Sequence, residues 1–134
     1  MTILGLDIGG ANIKAARTDG WATSIAFPLW KTPEQLSDAL RSIIASAGEV
    51  DHLAITMTGE LADCFATKAE GVARILAAVQ SAADNRQVVV WSTIGTYITV
   101  DEARREPFAV AAANWHALAT WVGQRFPCRV GLLI

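Results

Sequence analysis

The chain has 134 residues, 52% of them hydrophobic, which suffices for one ordinary buried core and makes a disordered segment a poor description. A net charge of -2 and an isoelectric point near 5.6 exclude broad electrostatic attraction to nucleic acid or to anionic membranes, while leaving a local anion site open. No uninterrupted apolar stretch approaches the roughly 18 residues of a membrane span, and Cys64 and Cys128, far apart and without a C-x-x-C pairing, fit a reducing cytosol better than a disulfide framework or a zinc site. The expectation is a soluble cytoplasmic protein.

Three strands are predicted at the start, Thr2 to Asp7, Ile13 to Thr18 and Ala22 to Phe27. Between the first two, Gly9-Gly10 reads as a turn in which positive φ and missing Cβ atoms let a phosphate approach successive backbone N–H groups. Asp7 stands where the first strand runs out, placed to hold a hydrated metal ion or orient a water. Lys14, on the returning strand, is placed to reach a phosphate oxygen. The same residues also read as an ordinary β-hairpin, and spacing alone does not separate the two. The turn is not a Walker loop, since no G-K-S or G-K-T follows, and not a dinucleotide turn, since Ile13 to Ala16 continue as strand.

Asp19-Gly20 supplies the second hairpin turn. Thr32-Pro33-Glu34-Gln35 then announces a helix, with Thr32 as N-cap and Gln35 closing a capping box, and Leu36, Leu40, Ile43, Ile44 and Ala47 form its apolar stripe up to Gly48. Leu53 to Met57 suits a buried strand. A second box at Thr67 and Glu70 opens a helix with Val72, Ile75, Leu76, Val79 and Ala83 inward, and Val88 to Trp91 is another buried strand. Ser92 to Glu106 is looser, with a strand near Tyr97 to Val100 and a helical turn at Asp101 to Arg105. Pro107 starts a helix to about Gln124 that carries Val110, Ala113, Ala117, Leu118 and Trp121 at helical spacing, and residues 129–134 read as a last strand.

Three meandering strands followed by alternating helices and strands, with D-I-G-G after the first strand, resemble one half of the acetate and sugar kinase/Hsp70/actin superfamily. The blocks Gly5-Leu6-Asp7-Ile8-Gly9-Gly10-Ala11-Asn12, Phe27-Pro28-Leu29-Trp30, Thr56-Met57-Thr58-Gly59-Glu60-Leu61-Ala62-Asp63-Cys64-Phe65, Glu70-Gly71-Val72 and Ala111-Ala112-Ala113-Asn114-Trp115 are similar to those of hydantoinase/oxoprolinase-related proteins of tetrahydromethanopterin biosynthesis, the tetrahydromethanopterin-linked C1 transfer pathway proteins. The resemblance implies an α/β fold: a ribonuclease H-like, actin-like ATPase N-terminal lobe with a mixed sheet of about five strands and helices on both faces. It also implies that residues 1–128 form this lobe and that residues 129–134 open a second lobe, whose D-x-G-S-T-T-T-D loop would be the other wall of the site. The implied reaction joins γ-glutamyltyramine to an aminomethylfuran-methanol diphosphate and releases diphosphate.

On that reading Gly9, Gly10, Ala11 and Asn12 with Lys14 bind phosphate, and Asp7 is catalytic and holds a metal, Mg2+ being expected. Glu60 and Asp63, past the carboxyl end of a strand, are candidate bases; each reads equally as a loop acid, solvated or capping a turn. Thr58 and Gly59 are expected to touch substrate. Asn114 either faces the cleft or bonds to backbone in the interior. His52 and His116 lack partners at metal-ligand spacing, the five tryptophans read as core and interface residues, and Cys64 has no histidine nearby in sequence to activate it. Two alternatives stand beside the transferase: an ATP-dependent small-molecule kinase or hydantoinase/oxoprolinase-like hydrolase, and a non-catalytic half-domain acting by association, either with the missing C-terminal lobe or with itself.

Overall fold

A computed structural model of the chain describes residues 1–128 and 131. The expected last strand at 129–134 lies outside the described residues, Gly131 apart. The fold is mixed α/β, built on one sheet of six strands in the order β3-β2-β1-β4-β5-β6. Strands β1 (Ile3–Ile8), β2 (Asn12–Arg17) and β3 (Ala22–Ala26) form the antiparallel meander. Strands β4 (His52–Met57) and β5 (Gln87–Trp91) run parallel to β1, and β6 (Tyr97–Thr99) closes the edge antiparallel to β5. The count is six rather than about five, because the short Tyr97–Thr99 segment pairs fully with Val89–Trp91.

Strand parity assigns the two faces. Leu4, Leu6 and Ile8 alternate with Gly5 and Asp7, and the register sets them beside Leu53, Ile55 and Met57. These residues are almost wholly buried beneath α1 (Leu36–Ser46) and α2 (Lys68–Ala83), whose stripes Leu36, Leu40, Ile43, Ile44 and Val72, Ile75, Leu76, Val79 are buried as the periodicity demands. The opposite face carries Asp7, Thr56 and Trp91 and meets α4 (Ala113–Arg125), which bonds to Asp7 through Asn114 and to Trp91 through His116. Helices therefore lie on both faces. Among the described residues, no helix is long and apolar enough to cross a membrane.

Local signals held in part. Gly20 at φ 101° and Gly48 at φ 76° occupy the turn and helix stop expected of them. Thr67 caps α2 by accepting from the Glu70 N–H, but the Glu70 carboxylate takes the Ala66 N–H and not that of Thr67. Thr32 makes no side-chain cap: the chain winds Pro33–Gln35 as a tight 3-10 turn, so α1 starts at Leu36. A complete capping box sits instead at Thr99 and Glu102, opening α3 (Val100–Arg105).

The helix expected from Pro107 is two pieces. Pro107–Ala109 is a 3-10 turn, Ala112 adopts φ 50° and ψ 27°, and α4 begins only at Ala113. Rotation at this break buries Val110 and Ala113 but leaves Leu118 and Trp121 about half exposed, so the expected inward stripe does not continue. The tryptophans follow suit: none is fully buried, and Trp30, Trp115 and Trp121 are exposed.

Candidate functional site

The hairpin between β1 and β2 has Gly9-Gly10-Ala11 at its tip. Gly9 donates to the Asn12 carbonyl at 3.0 Å, while the Gly10 and Ala11 carbonyls accept from Leu29 and Phe27, both at 2.9 Å. The tip is thus held by its carbonyls. The Gly10 and Ala11 N–H groups donate to no backbone carbonyl among the described residues, the state an anion cradle needs. One premise of the expectation fails, since neither Gly9 nor Gly10 has positive φ. Their value is absence of bulk: a Cβ on Gly9 would sit 2.9 Å from the Asn12 carbonyl oxygen, whereas one on Gly10 would meet only the Ala62 methyl at 4.0 Å. Asn12 itself is exposed.

Beside the tip runs the segment after β4. Thr58 donates its N–H to the Ile8 carbonyl at 3.0 Å, and Gly59 packs so closely that a Cβ would fall 3.1 Å from the Ile8 oxygen and 3.3 Å from that of Gly9. The T-G pair therefore seats this loop against the cradle. Gly10, Thr58 and the exposed Asp63 border an open cavity of about 440 Å³ with Trp30, whose ring is covered by the Lys31 ammonium at 4.7 Å.

Asp7 and Lys14 are paired directly across the β1–β2 ladder. The ammonium lies 3.8 Å from Asp7 Oδ2, so Lys14 does reach back across the hairpin, here to a carboxylate. The Thr56 hydroxyl and the Asn114 amide donate to Asp7 Oδ1, both at a long 3.4 Å. Asn114 thus faces Asp7, one of the two placements open to it, and its own Oδ1 is buried without a partner. Thr56 was missed in the sequence although its signal was present: it is the register partner of Asp7 on the neighbouring parallel strand. Asp7, Lys14, Thr56, Asn114, Trp115 and Leu118 enclose a second cavity of about 360 Å³.

Glu60 departs furthest from expectation. It is 2% exposed, so it is neither a solvated loop acid nor open to a substrate. Its Oε1 accepts from the Ala112 N–H at 2.7 Å, Oε2 has no partner, and burial pushes the carboxyl above its ordinary value despite backbone donors that favour the charged form. Gly71 of α2 makes room for it, since a Cβ there would lie 2.7 Å from the Glu60 Cα. The carboxyl ties the loop after β4 to the left-handed residue that aims α4, and hence Asn114, at Asp7.

Two further side chains weighed in the sequence are engaged by the fold. His116 Nδ1 accepts the Trp91 indole N–H at 3.1 Å, and the half-buried Cys64 thiol lies 3.7 Å from the Leu29 carbonyl. Among the described residues, no three of His, Cys, Asp and Glu gather at metal-binding distance.

The loop after β4 and the start of α4, which complete this mixed α/β site, lie in a stretch whose sequence defines a known family, the hydantoinase/oxoprolinase family. Its sequence pattern matches residues 51–126, the stretch that carries Thr56, Thr58, Glu60, Asp63 and Asn114, and the chain belongs to it. A Methanocaldococcus jannaschii protein, (4-{4-[2-(gamma-L-glutamylamino)ethyl]phenoxymethyl}furan-2-yl)methanamine synthase, is similar to this chain at 41% identity over 125 residues, 91% of the chain. The chain spans 37% of that protein's length.

Proposed function

We propose that this chain forms the phosphate-binding, ribonuclease H-like lobe of a transferase that makes an aryl ether of an aminomethylfuran, in the biosynthesis of a one-carbon carrier. The relative's product name supports the substrate class: it contains a phenoxymethyl link between a glutamylated aminoethylphenol and a furan. The furan in that name supports a furan-bearing one-carbon carrier as the end product, whereas the sequence resemblance was to proteins of tetrahydromethanopterin biosynthesis. In the reaction the phenol oxygen attacks the furfuryl carbon, the bond from that carbon to the diphosphate oxygen breaks, and diphosphate leaves with the electron pair. The phenol proton passes to a carboxylate, Asp63 where the phenol lies beside Gly10 and Thr58, or Asp7 where it lies in the cavity of Lys14 and Trp115.

The single observation behind this reading is the pair of free amides at Gly10 and Ala11 with Lys14 behind them. Amides and an ammonium stabilise negative charge as it grows on a leaving diphosphate. Asp7, Thr56 and the orphaned Asn114 oxygen are hard oxygen donors that fit Mg2+, which commonly takes one carboxylate together with substrate phosphate and water. That ion would add charge neutralisation at the diphosphate. Glu60 acts by position, through Ala112 and Asn114. The site would draw further groups from a second lobe or from a second copy, and its two thiols, Cys64 and Cys128, suit the cytoplasm.

The test is calorimetric titration of the chain with inorganic diphosphate, with and without Mg2+, beside Gly10→Ala and Lys14→Ala. Gly10→Ala has room in the fold, so it is expected to leave the thermal midpoint unchanged while weakening diphosphate about tenfold or more, and Lys14→Ala to weaken it similarly. Unchanged affinity in both variants would sink the proposal. ATP binding with turnover, and no response to a furan diphosphate, would instead favour the kinase.

A further inference from the structure

Three tryptophans face solvent, and their surroundings differ. Trp30 is covered by Lys31, and Trp121 lies two turns along α4 from the site. Trp115 is 47% exposed, makes no aromatic or cation contact among the described residues, and borders the same cavity as Asp7 and Lys14. Leu118, one turn further on the same helix, is 48% exposed and lines that cavity too. Trp91, by contrast, is engaged with Tyr97 edge-on at 5.0 Å and hydrogen-bonded to His116.

A cavity with an ion pair at one wall and an uncovered indole and leucine at the other is built for a molecule of two characters, an anionic or hydroxyl end and a flat apolar end. Asn114 links the two walls. It precedes Trp115 in the chain and donates to Asp7, so the position of the indole is coupled to the acid through a single hydrogen bond. We infer that Trp115, with Leu118 beside it, is the aryl-binding wall of the site, stacking a neutral ring whose oxygen-bearing arm points toward Asp7 and Lys14. The inference rests on the transferase reading for the identity of the ring, a phenol or a furan. Trp115 determines which substrates are held and takes no part in bond making.

The experiment follows the indole N–H signals of the labelled chain during titration with tyramine, furan-2-ylmethyl diphosphate, methyl diphosphate and inorganic diphosphate, in wild type, Trp115→Ala and Trp115→Phe. The Trp115 signal, assigned by its loss in the variants, is expected to move with a ring-bearing ligand and hold still with the ringless ones. Trp115→Ala is expected to weaken the ring-bearing ligand about tenfold, Trp115→Phe to retain most of its affinity, and both to bind inorganic diphosphate within about twofold of wild type. Whichever of tyramine and the furan diphosphate moves the signal identifies the ring. Ring-bearing and ringless ligands weakened equally, no ring ligand bound, or a Trp115 signal that moves only with protein concentration would each overturn the inference. Loss of diphosphate binding with Trp115-dependent tyramine binding intact would overturn the cradle and leave this wall standing.

Discussion

Glu60 shows how far a residue's role can depart from its neighbourhood in sequence. It follows Thr58-Gly59 in what reads as a loop, yet its carboxyl is buried against an amide that lies 52 positions later. No local pattern carries that information, whereas the Asp7–Lys14 pairing was legible because a hairpin fixes which residues face each other. The burial has a thermodynamic signature. A carboxyl that keeps its proton to higher pH in the folded chain than the ordinary 4.5 means that the folded state binds more protons between those two values, so its contribution to stability declines as pH rises through that interval and levels off above it. Glu60→Gln keeps an acceptor for Ala112 and removes this decline; its urea midpoint relative to wild type should rise with pH from about 4.5 upward and then plateau. Glu60→Ala leaves the Ala112 N–H unpaired beside a cavity and should cost about 2–3 kcal/mol in the same measurement.

At the scale of elements, the strands and the two helices α1 and α2 were readable because their patterns have one period and one buried face. The segment from Pro107 to Arg125 was not, because its apolar residues keep helical spacing through a break whose support is tertiary. Left-handed Ala112 is stabilised by the Glu60 carboxyl, and helical periodicity is blind to a single residue outside the helical region. At α3 the strand reading of Thr99 held, since β6 ends on it, but its local and complete capping box with Glu102 was not read, so the helix opens at Val100 and not at Asp101. Thr99→Ala should therefore free the end of both elements at once, lowering the thermal midpoint by a few degrees and raising amide exchange in Tyr97–Thr99 and Val100–Arg105 while leaving α2 protected.

For the whole molecule, the asymmetry between the two sheet faces dominates. One face is sealed by α1 and α2; the other is covered by α4 over β4 and β5, leaving an open groove of about 600 Å³ along Gly5, Ala16, Ser24 and Tyr97. Trp121, Phe126 and Phe108 are also exposed, and apolar side chains at a surface favour association where they form a patch. Sedimentation should show concentration-dependent association that Trp121→Arg reduces without lowering the thermal midpoint; a monomer at every concentration would remove self-association as a partner. The seam between β1 and β4 has another consequence, in time. Asp7 meets Lys14 across a short hairpin, but its polar partners Thr56 and Asn114 lie 49 and 107 positions away. Closing those longer loops costs more entropy, so the expected order of folding is the hairpin, then the parallel seam, then α4, an order that pulse-labelled amide exchange during refolding would check. On that order the acid and its lysine come together early, and the groups that orient the acid are the last to arrive.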